Sequence, residues 1–112
     1  MAQKLILKNN MAQNILEEAN DIIHGARNAQ YGHPLENHGL TAKFWVIYLE
    51  ELTRQGRPVQ AEDVCFLNIL QKISRSLNNV DQKRDTLVDI AGYAGNVEMI
   101  QDKRKGKSNA KG

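Results

Sequence analysis

The sequence has a single cysteine and no segment long and apolar enough to cross a membrane. Cys65 cannot form a disulfide within the chain, which is typical of proteins in a reducing compartment, and its apolar neighbours predict a buried core residue. A membrane-spanning helix needs about 18 or more apolar residues. The apolar residues 5–7 are also too few for the core of a signal peptide. We therefore expect a cytoplasmic protein without a membrane partner.

Aromatic residues are scarce as well, at 5% of the 112 residues. Aliphatic side chains must then supply most of the core of this single domain, and a chain of this size buries only a small core. We expect self-association to supplement that core, as a homo-oligomer that is either a symmetric dimer or a dimer of dimers.

Several motifs of known chemistry are missing. No serine lies in a Gly-x-Ser-x-Gly elbow, and the glycines form no phosphate-cradling loop. The three histidines, His24, His33 and His38, lack metal-ligand spacing to the cysteine. The sequence therefore gives no support to nucleophilic catalysis or to a zinc site.

Charge is divided unevenly along the chain. The formal net charge is +2, and five cations against Asp102 give residues 102–112 a charge of +4, which leaves −2 on the rest. This basic tail is too polar to pack, so we expect it to be disordered. Nucleic-acid binders usually carry a basic patch on the fold itself, so the pattern argues against a nucleic-acid partner.

Apolar residues at helical spacing predict an all-α fold, with a short arm over residues 1–10 and a single domain of four helices over residues 11–101. The first helix starts at Asn9 or Asn10 and runs to about Ala26. The second is capped by Asn37 and runs to about Arg54, where Gly56 and Pro58 stop it.

The third and fourth helices form the second half of the domain. The third starts near Ala61, and the fourth runs from Asp85 or Thr86 to about Gln101. Three sets of apolar residues are predicted to form the buried sides of the last three helices: Leu40, Phe44, Ile47, Tyr48 and Leu52; Val64, Leu67, Leu70, Ile73 and Leu77; and Leu87, Ile90, Ala91, Ala94 and Val97.

The turn between the first two helices carries more polar chemistry than a turn needs. Gly32 and Pro34 alone would break the helix. Arg27, Tyr31 and His33 around them offer a guanidinium fork, a stacking ring and an imidazole. We interpret this corner either as one wall of a ligand site or as a capped turn without a ligand.

Two further polar sets lie on the third and fourth helices. Asn68, Lys72 and Arg75 follow one stripe of the third helix, which a solvated face would also explain. Asp85 and Asp89 form an i,i+4 pair on the fourth helix. These carboxylates could hold Mg²⁺ together with substrate phosphates, or they could pair with Lys72 and Arg75 across a helical hairpin.

These motifs resemble a family of small phage and prophage proteins of unknown function over roughly residues 14–97. The resemblance rests on these residues: Arg27, Tyr31-Gly32-x-Pro34, Asn37, Trp45, Leu49, Asp63-Val64, Lys72, Arg75, Asp85 and Asp89-Ile90-Ala91-Gly92-Tyr93. That family is in turn similar to the all-α nucleotide pyrophosphohydrolases of the MazG and dimeric dUTPase type. The resemblance implies a MazG-like four-helix bundle and a nucleotide-like ligand.

The sequence departs from the MazG pattern at the metal ligands. MazG-type enzymes hold Mg²⁺ with Glu-Glu-x-x-Glu on one helix and Glu-x-x-Asp on the next. Here Asp85 and Asp89 are spaced one residue wider, and Lys72 and Arg75 lie where the first motif would be, with only Glu62 and Asp63 upstream. The departure implies a fold that kept a nucleotide pocket and lost hydrolysis.

Three hypotheses follow. The first is a non-catalytic sponge without a cofactor that sequesters a nucleotide immune signal, such as a cyclic oligonucleotide or an ADP-ribose derivative, through Arg27, Tyr31, His33, Asn37, Asn68, Lys72, Arg75 and Tyr93. The second is a pyrophosphohydrolase of nucleoside triphosphates that holds Mg²⁺ with Asp63, Asp85 and Asp89. The third is a structural or interaction protein that uses the polar stripe and the basic tail.

Overall fold

The computed structural model of the chain describes residues 13–25, 32–78 and 84–106. All regular structure in these ranges is helical, which confirms the predicted all-α class with four helices. The helices are α1 (Ile15–His24), α2 (Pro34–Gln55), α3 (Ala61–Leu77) and α4 (Arg84–Arg104). None of these described helices has the length and apolarity required to span a membrane.

The first two helices begin at caps other than the predicted ones. Asn14, rather than Asn9 or Asn10, caps α1, because its side-chain oxygen accepts a 2.8 Å bond from the backbone N–H of Glu17. His33 caps α2 through Nδ1, which accepts a 3.1 Å bond from the N–H of Leu35, and Pro34 occupies the first helical turn. The prediction that Asn37 caps this helix is wrong, because Asn37 lies one turn inside it.

The turn between α2 and α3 follows the prediction. Gly56 adopts φ +67°, the left-handed conformation that ends many helices, and its N–H bonds to carbonyls of the last turn of α2. The third helix then begins at Ala61, where the Asp63 carboxylate accepts a 2.7 Å bond from the N–H of Gln60. The predicted start of this helix is confirmed.

The helix α3 is central, because it packs against both α2 and α4. Trp45 on α2 donates its indole N–H to the carbonyl of Leu67 at 2.8 Å, and the hydroxyl of Ser74 donates to the carbonyl of Asn37 at 3.4 Å. Both bonds join α2 to α3 in an antiparallel arrangement. The buried apolar residues of the described ranges are Leu52, Cys65, Leu67 and Val97, so the predicted burial of Cys65 is confirmed.

The buried faces differ from the predicted ones. On α3 the buried residues include Asp63, Leu67 and Ser74, whereas Val64, Ile73 and Leu77 of the predicted core face are exposed. On the other two helices, Ile47 and Leu87 of the predicted faces are exposed, whereas the polar residues Thr41 and Thr86 are buried. Apolar periodicity misses polar residues that are buried with hydrogen-bonding partners, as Asp63 and Ser74 are.

The two ends of the described chain differ in packing. No residue of α1 is buried, so this helix contributes nothing to the core. The last helix continues three residues past the predicted end, and Arg104 bonds to the carboxylate of Glu62 on α3. The prediction of a disordered tail is therefore wrong for residues 102–104, while residues 107–112 and the arm at residues 1–10 lie outside the described residues.

Gly39 inside α2 and Gly56 directly after it give substitutions with opposite expected effects. Gly56→Ala should lower the free energy of unfolding by about 1 kcal/mol, because a side chain is strained at φ +67°. Gly39→Ala should raise it by up to about 1 kcal/mol, because Gly39 is inside the helix and nothing within 4 Å would meet a new Cβ. Urea unfolding followed by circular dichroism at one protein concentration measures both. Equal effects of the two substitutions would contradict the assigned end of α2.

Candidate functional site

The candidate site residues divide between two opposite ends of the α2–α3 pair. The Asn37 end comprises the start of α2, the end of α3 and the start of α4, and it holds Asn37, Lys72, Arg75, Asp85 and Asp89. The Asp63 end comprises the end of α2 and the start of α3. The bond between Ser74 and Asn37 and the ion pair between Lys72 and Asp89 bring the elements of the Asn37 end together.

Asn37 is buried in an unusual way. Its residue is only 4% exposed, and its side-chain oxygen Oδ1 has no hydrogen-bond partner among the described residues. Its main-chain carbonyl, by contrast, lies within hydrogen-bond distance of two hydroxyls, those of Thr41 at 3.2 Å and Ser74 at 3.4 Å. A buried carbonyl oxygen without a donor costs about 1–3 kcal/mol, so it is a rare feature in a natural protein.

Lys72 lies two residues before Ser74 on α3, on the side of that helix that faces α4, and is largely buried. Its side chain is 15% exposed, and Nζ lies 3.0 Å from Oδ2 of Asp89 on α4. This ion pair confirms one of the two interpretations of the carboxylates, for Lys72 and Asp89. The pair fixes a cation at the Asn37 end, with the half-buried Arg75 one turn further along the same helix.

Asp63 is the centre of a different cluster at the other end. The residue is 1% exposed, and its carboxylate accepts bonds from the hydroxyl of Tyr48 at 2.6 Å and from two guanidinium nitrogens of Arg57 at 3.0 and 3.2 Å. Together with the N–H of Gln60, these donors occupy both carboxylate oxygens. We call Tyr48, Arg57 and Asp63 the clamp, because they join the end of α2 to the start of α3.

The clamp shifts two ionisation equilibria in opposite directions. The hydrogen bonds from Arg57, with those from Tyr48 and Gln60, lower the pKa of Asp63 to about 2 against the opposing effect of its burial. Burial, and then the bond to the Asp63 carboxylate, raise the pKa of Tyr48 to about 12. The carboxylate and the neutral phenol are therefore the stable forms over the whole neutral range.

The described residues do not fit the Mg²⁺ site of the second hypothesis. Asp63 is saturated by its donors and lies nine residues of α3 away from Lys72, which is about 14 Å along a helix. Asp89 already binds a lysine ammonium. Among the described residues no group of three or more acidic, histidine or cysteine side chains is placed to hold a metal ion.

The remaining candidates have separate locations. Arg27 and Tyr31 lie outside the described residues. His33 is exposed and acts as the cap of α2. Asn68 is half-buried on α3, and Tyr93 lines a shallow groove of about 300 Å³ on α4 with Val88, Asp89, Gly92 and Asn96.

Sequence reasoning missed the buried hydroxyls of Thr41, Ser74 and Thr86, and the clamp partners Tyr48 and Arg57. The i,i+4 spacing of Asn37 and Thr41, which allows the hydroxyl of Thr41 to bond to the carbonyl of Asn37 in a helix, can be read from the sequence. The clamp joins Tyr48 on α2 and Arg57 in the turn after it to Asp63 on α3, and these spacings of 15 and six residues follow no helical repeat.

Removing the charge of Asp63 should show that the contribution of the clamp to folding stability decreases at acidic pH. Because its pKa is depressed in the folded state, its contribution exists above an unfolded pKa of about 4 and is lost as the pH falls towards about 2. Asp63→Asn should therefore lower the free energy of unfolding by about 1–3 kcal/mol at pH 7 and by much less near pH 2.

Urea unfolding of both proteins from pH 7 to pH 2 measures this difference. The exposed Glu50→Gln on the same helix as Tyr48 serves as a control and should stay within about 0.5 kcal/mol of wild type. A stability difference for Asp63→Asn that does not narrow in acid would show that the clamp is not held by the carboxylate charge.

Comparisons with known proteins agree with the phage resemblance. The profile of a domain of unknown function, DUF6378, matches residues 14–101. The Gene 55 protein of Mycobacterium phage D29 is 44% identical over 92 residues, which cover 82% of this chain and 56% of that protein. The Gene 55 protein of Mycobacterium phage L5 is 42% identical over 87 residues, which cover 78% of this chain and 52% of that protein.

The chain thus spans about half the length of the curated relatives that it matches. No solved structure matches it significantly. The expected similarity to phage proteins of unknown function is confirmed. Since the profile match covers most of its length, the chain belongs to the DUF6378 family.

Proposed function

We propose that the chain binds a nucleotide-like small molecule at the Asn37 end without hydrolysing it. The observation that carries this proposal is the buried side-chain oxygen of Asn37, which has no donor among the described residues and lies at the same end as Lys72. An acceptor of this kind is satisfied when a ligand brings an N–H or O–H group to it. A binding role would explain why a residue that lowers folding stability in this way is retained.

The groups at this end have the chemistry that a nucleotide needs. The amide oxygen of Asn37 can accept a bond from an exocyclic amine of a base or from a ribose hydroxyl. The ammonium of Lys72 can bind a phosphate oxygen, and its low exposure makes that attraction stronger than at an open surface. One donor group and one anionic group on the same ligand would therefore meet complementary partners.

Asp89 has a defined part in this proposal. Its carboxylate orients the ammonium of Lys72 before a ligand arrives, which is a form of preorganisation. Because the Asp89 side chain is 47% exposed, it can turn to water when a phosphate replaces it on the ammonium. The pair is thus compatible with an exchangeable site.

Membership in a family with phage relatives suggests a purpose for binding without hydrolysis. A phage protein that retains a nucleotide immune signal intact would lower its free concentration in the infected cell. The relation to MazG-type enzymes stays a prediction, and it adds the expectation that the ligand is a nucleotide.

A mixed-ligand incubation tests the proposal. The purified full chain is incubated with dNTPs, NTPs, cyclic di- and trinucleotides and cyclic ADP-ribose isomers, with and without Mg²⁺, and the free ligands are measured by mass spectrometry before and after heat denaturation. We expect one class to disappear from solution and to return unchanged on denaturation. Conversion to a monophosphate and pyrophosphate that a chelator abolishes would establish a hydrolase, and no change in any ligand would favour an interaction protein.

Substitution of Asn37 separates a binding role from a structural one. Asn37→Ala should reduce the affinity for the retained ligand by about tenfold or more, because a buried hydrogen bond to the ligand is lost. The same change should leave the free energy of unfolding equal or higher, because it removes a buried oxygen that has no donor among the described residues and improves helix propensity. Isothermal titration and urea unfolding measure the two quantities. A loss of stability with unchanged affinity would assign Asn37 to the fold alone.

Substitution of Lys72 tests the phosphate contact. Lys72→Gln should weaken binding of the retained ligand by about tenfold or more and reduce its salt dependence. The matched control is Lys43→Gln, which changes an exposed lysine in the middle of α2 and should leave the affinity unchanged. Equal affinities for both variants would contradict the assignment of Lys72.

A further inference from the structure

The outward side of α4 has an unusual composition. Val88, Gly92, Gly95 and Met99 recur at i, i+4, i+7 and i+11 and share one face of the helix. The buried residues Thr86 and Val97 are on the opposite face, at helical angles about 180° away. Val88 is 55% and Met99 is 54% exposed, so two apolar side chains flank an exposed pair of glycines. We call these four residues the outer face.

Nothing within the described protomer explains the glycines. A Cβ added at Gly92 or Gly95 would meet no described atom within 4 Å, and both residues lie inside a regular helix. Each costs on the order of 1 kcal/mol of helix stability relative to alanine. The missing side chain of Gly92 leaves a shallow groove beside Tyr93 and Asn96, and a second helix backbone can approach the two glycines closely.

The spacing of the outer face is symmetric about its centre. Three residues separate Val88 from Gly92, two separate Gly92 from Gly95, and three separate Gly95 from Met99, so the pattern is the same when it is read in either direction. A two-fold axis that pairs two such helices in antiparallel orientation places Val88 against Met99 of the second copy, and Gly92 against its Gly95. We propose that a second copy of this chain docks there, α4 against α4.

The charges at the ends of the helix have the same symmetry. Asp85 and Lys103 lie at the same helical angle on one edge of the outer face, and Arg84 and Asp102 lie at the same angle on the other edge. The two-fold arrangement brings Asp85 opposite Lys103 of the second copy and Arg84 opposite its Asp102. Opposite charges therefore face each other along both edges, so the outer face and its edges are complementary to a second copy of themselves.

The docked copy also changes the candidate site. Asp85 belongs to the Asn37 end, and the pairing brings Lys103 of the second copy to it. The pairing therefore adds a cation of the neighbouring copy beside Asp85 at the start of α4, whether or not the ligand is a nucleotide.

Glycine substitution tests the occupant of the face. The mass of the full chain in solution is measured by light scattering over a wide dilution series. We expect wild type to be a dimer or a higher even oligomer and Gly95→Leu to have half that mass. A Cβ at this position meets no described atom within 4 Å, and leucine favours the helix, so the variant should keep its helical content.

Ala94→Leu is the matched control, since it adds the same volume at an exposed residue of α4 outside the outer face, and it should keep the wild-type mass. A monomeric wild type would overturn the proposal, because the face would then be free or covered by another partner. A Gly95→Leu variant with the wild-type mass would overturn it as well, since self-association would use another surface.

Disulfide formation tests the direction of pairing. In the antiparallel pair, the α carbons of Val88 in the two copies are about 16 Å apart along the axis, which is too far for a disulfide, whereas Val88 and Met99 of different copies are adjacent. A mixture of Val88→Cys and Met99→Cys chains should cross-link on oxidation, and each variant alone should not. Cross-linking of Val88→Cys alone would establish a parallel pair, and absence of any cross-link beyond that of wild type would contradict the contact.

Discussion

The buried carboxylate of Asp63 sets the position of the central helix. Its bonds to Tyr48 and Arg57 fix the start of α3 against the end of α2. Counting eleven residues back from Tyr48 on α2 gives Asn37, and counting eleven forward from Asp63 on α3 gives Ser74. These two residues are the ones whose bond closes the other end, about 16 Å away. The register fixed by the clamp therefore determines which groups meet at the Asn37 end.

Polar groups take much of the place of a core in this protomer. The described chain buries few large apolar side chains, while a carboxylate, an amide and three hydroxyls are buried. Hydrogen bonds add little net stability but impose strict geometry, since a buried donor or acceptor without a partner is costly. Such a protomer has a well-defined register and a small hydrophobic contribution. Association through its exposed apolar faces, including that of α4, would then bury additional apolar surface.

Local signals in the sequence were sufficient to predict that the helices form, and insufficient to predict which of their faces are buried. Gly56 and Pro58 marked the end of α2, because the left-handed conformation of glycine and the fixed φ of proline are properties of the residues themselves. The predicted core of α3 was wrong at Val64 and Ile73, because the buried face is defined by Asp63 and Ser74, whose partners lie on α2. An ion pair of Lys72 with Asp89 was one of the two interpretations of the carboxylates, because both residues lie on regular stripes of adjacent helices. That the side-chain oxygen of Asn37 has no donor among the described residues depends on its surroundings in three dimensions and cannot be read from residue spacing.

Gly92 and Gly95 reduce the stability of α4 in the single chain, and this loss indicates that the glycines serve another purpose. A residue that weakens its own helix is retained where the empty space has a use, and within the protomer that space at Gly92 and Gly95 touches nothing described. In the proposed antiparallel pair, Asp85 of each copy meets Lys103 of the other, so the same ion pair forms at both ends of the contact. In a two-fold pair, residue i of one copy contacts residue j of the other, and j contacts i. The glycines of the two helices then meet at the centre of the contact, and Val88 meets Met99 at both of its ends.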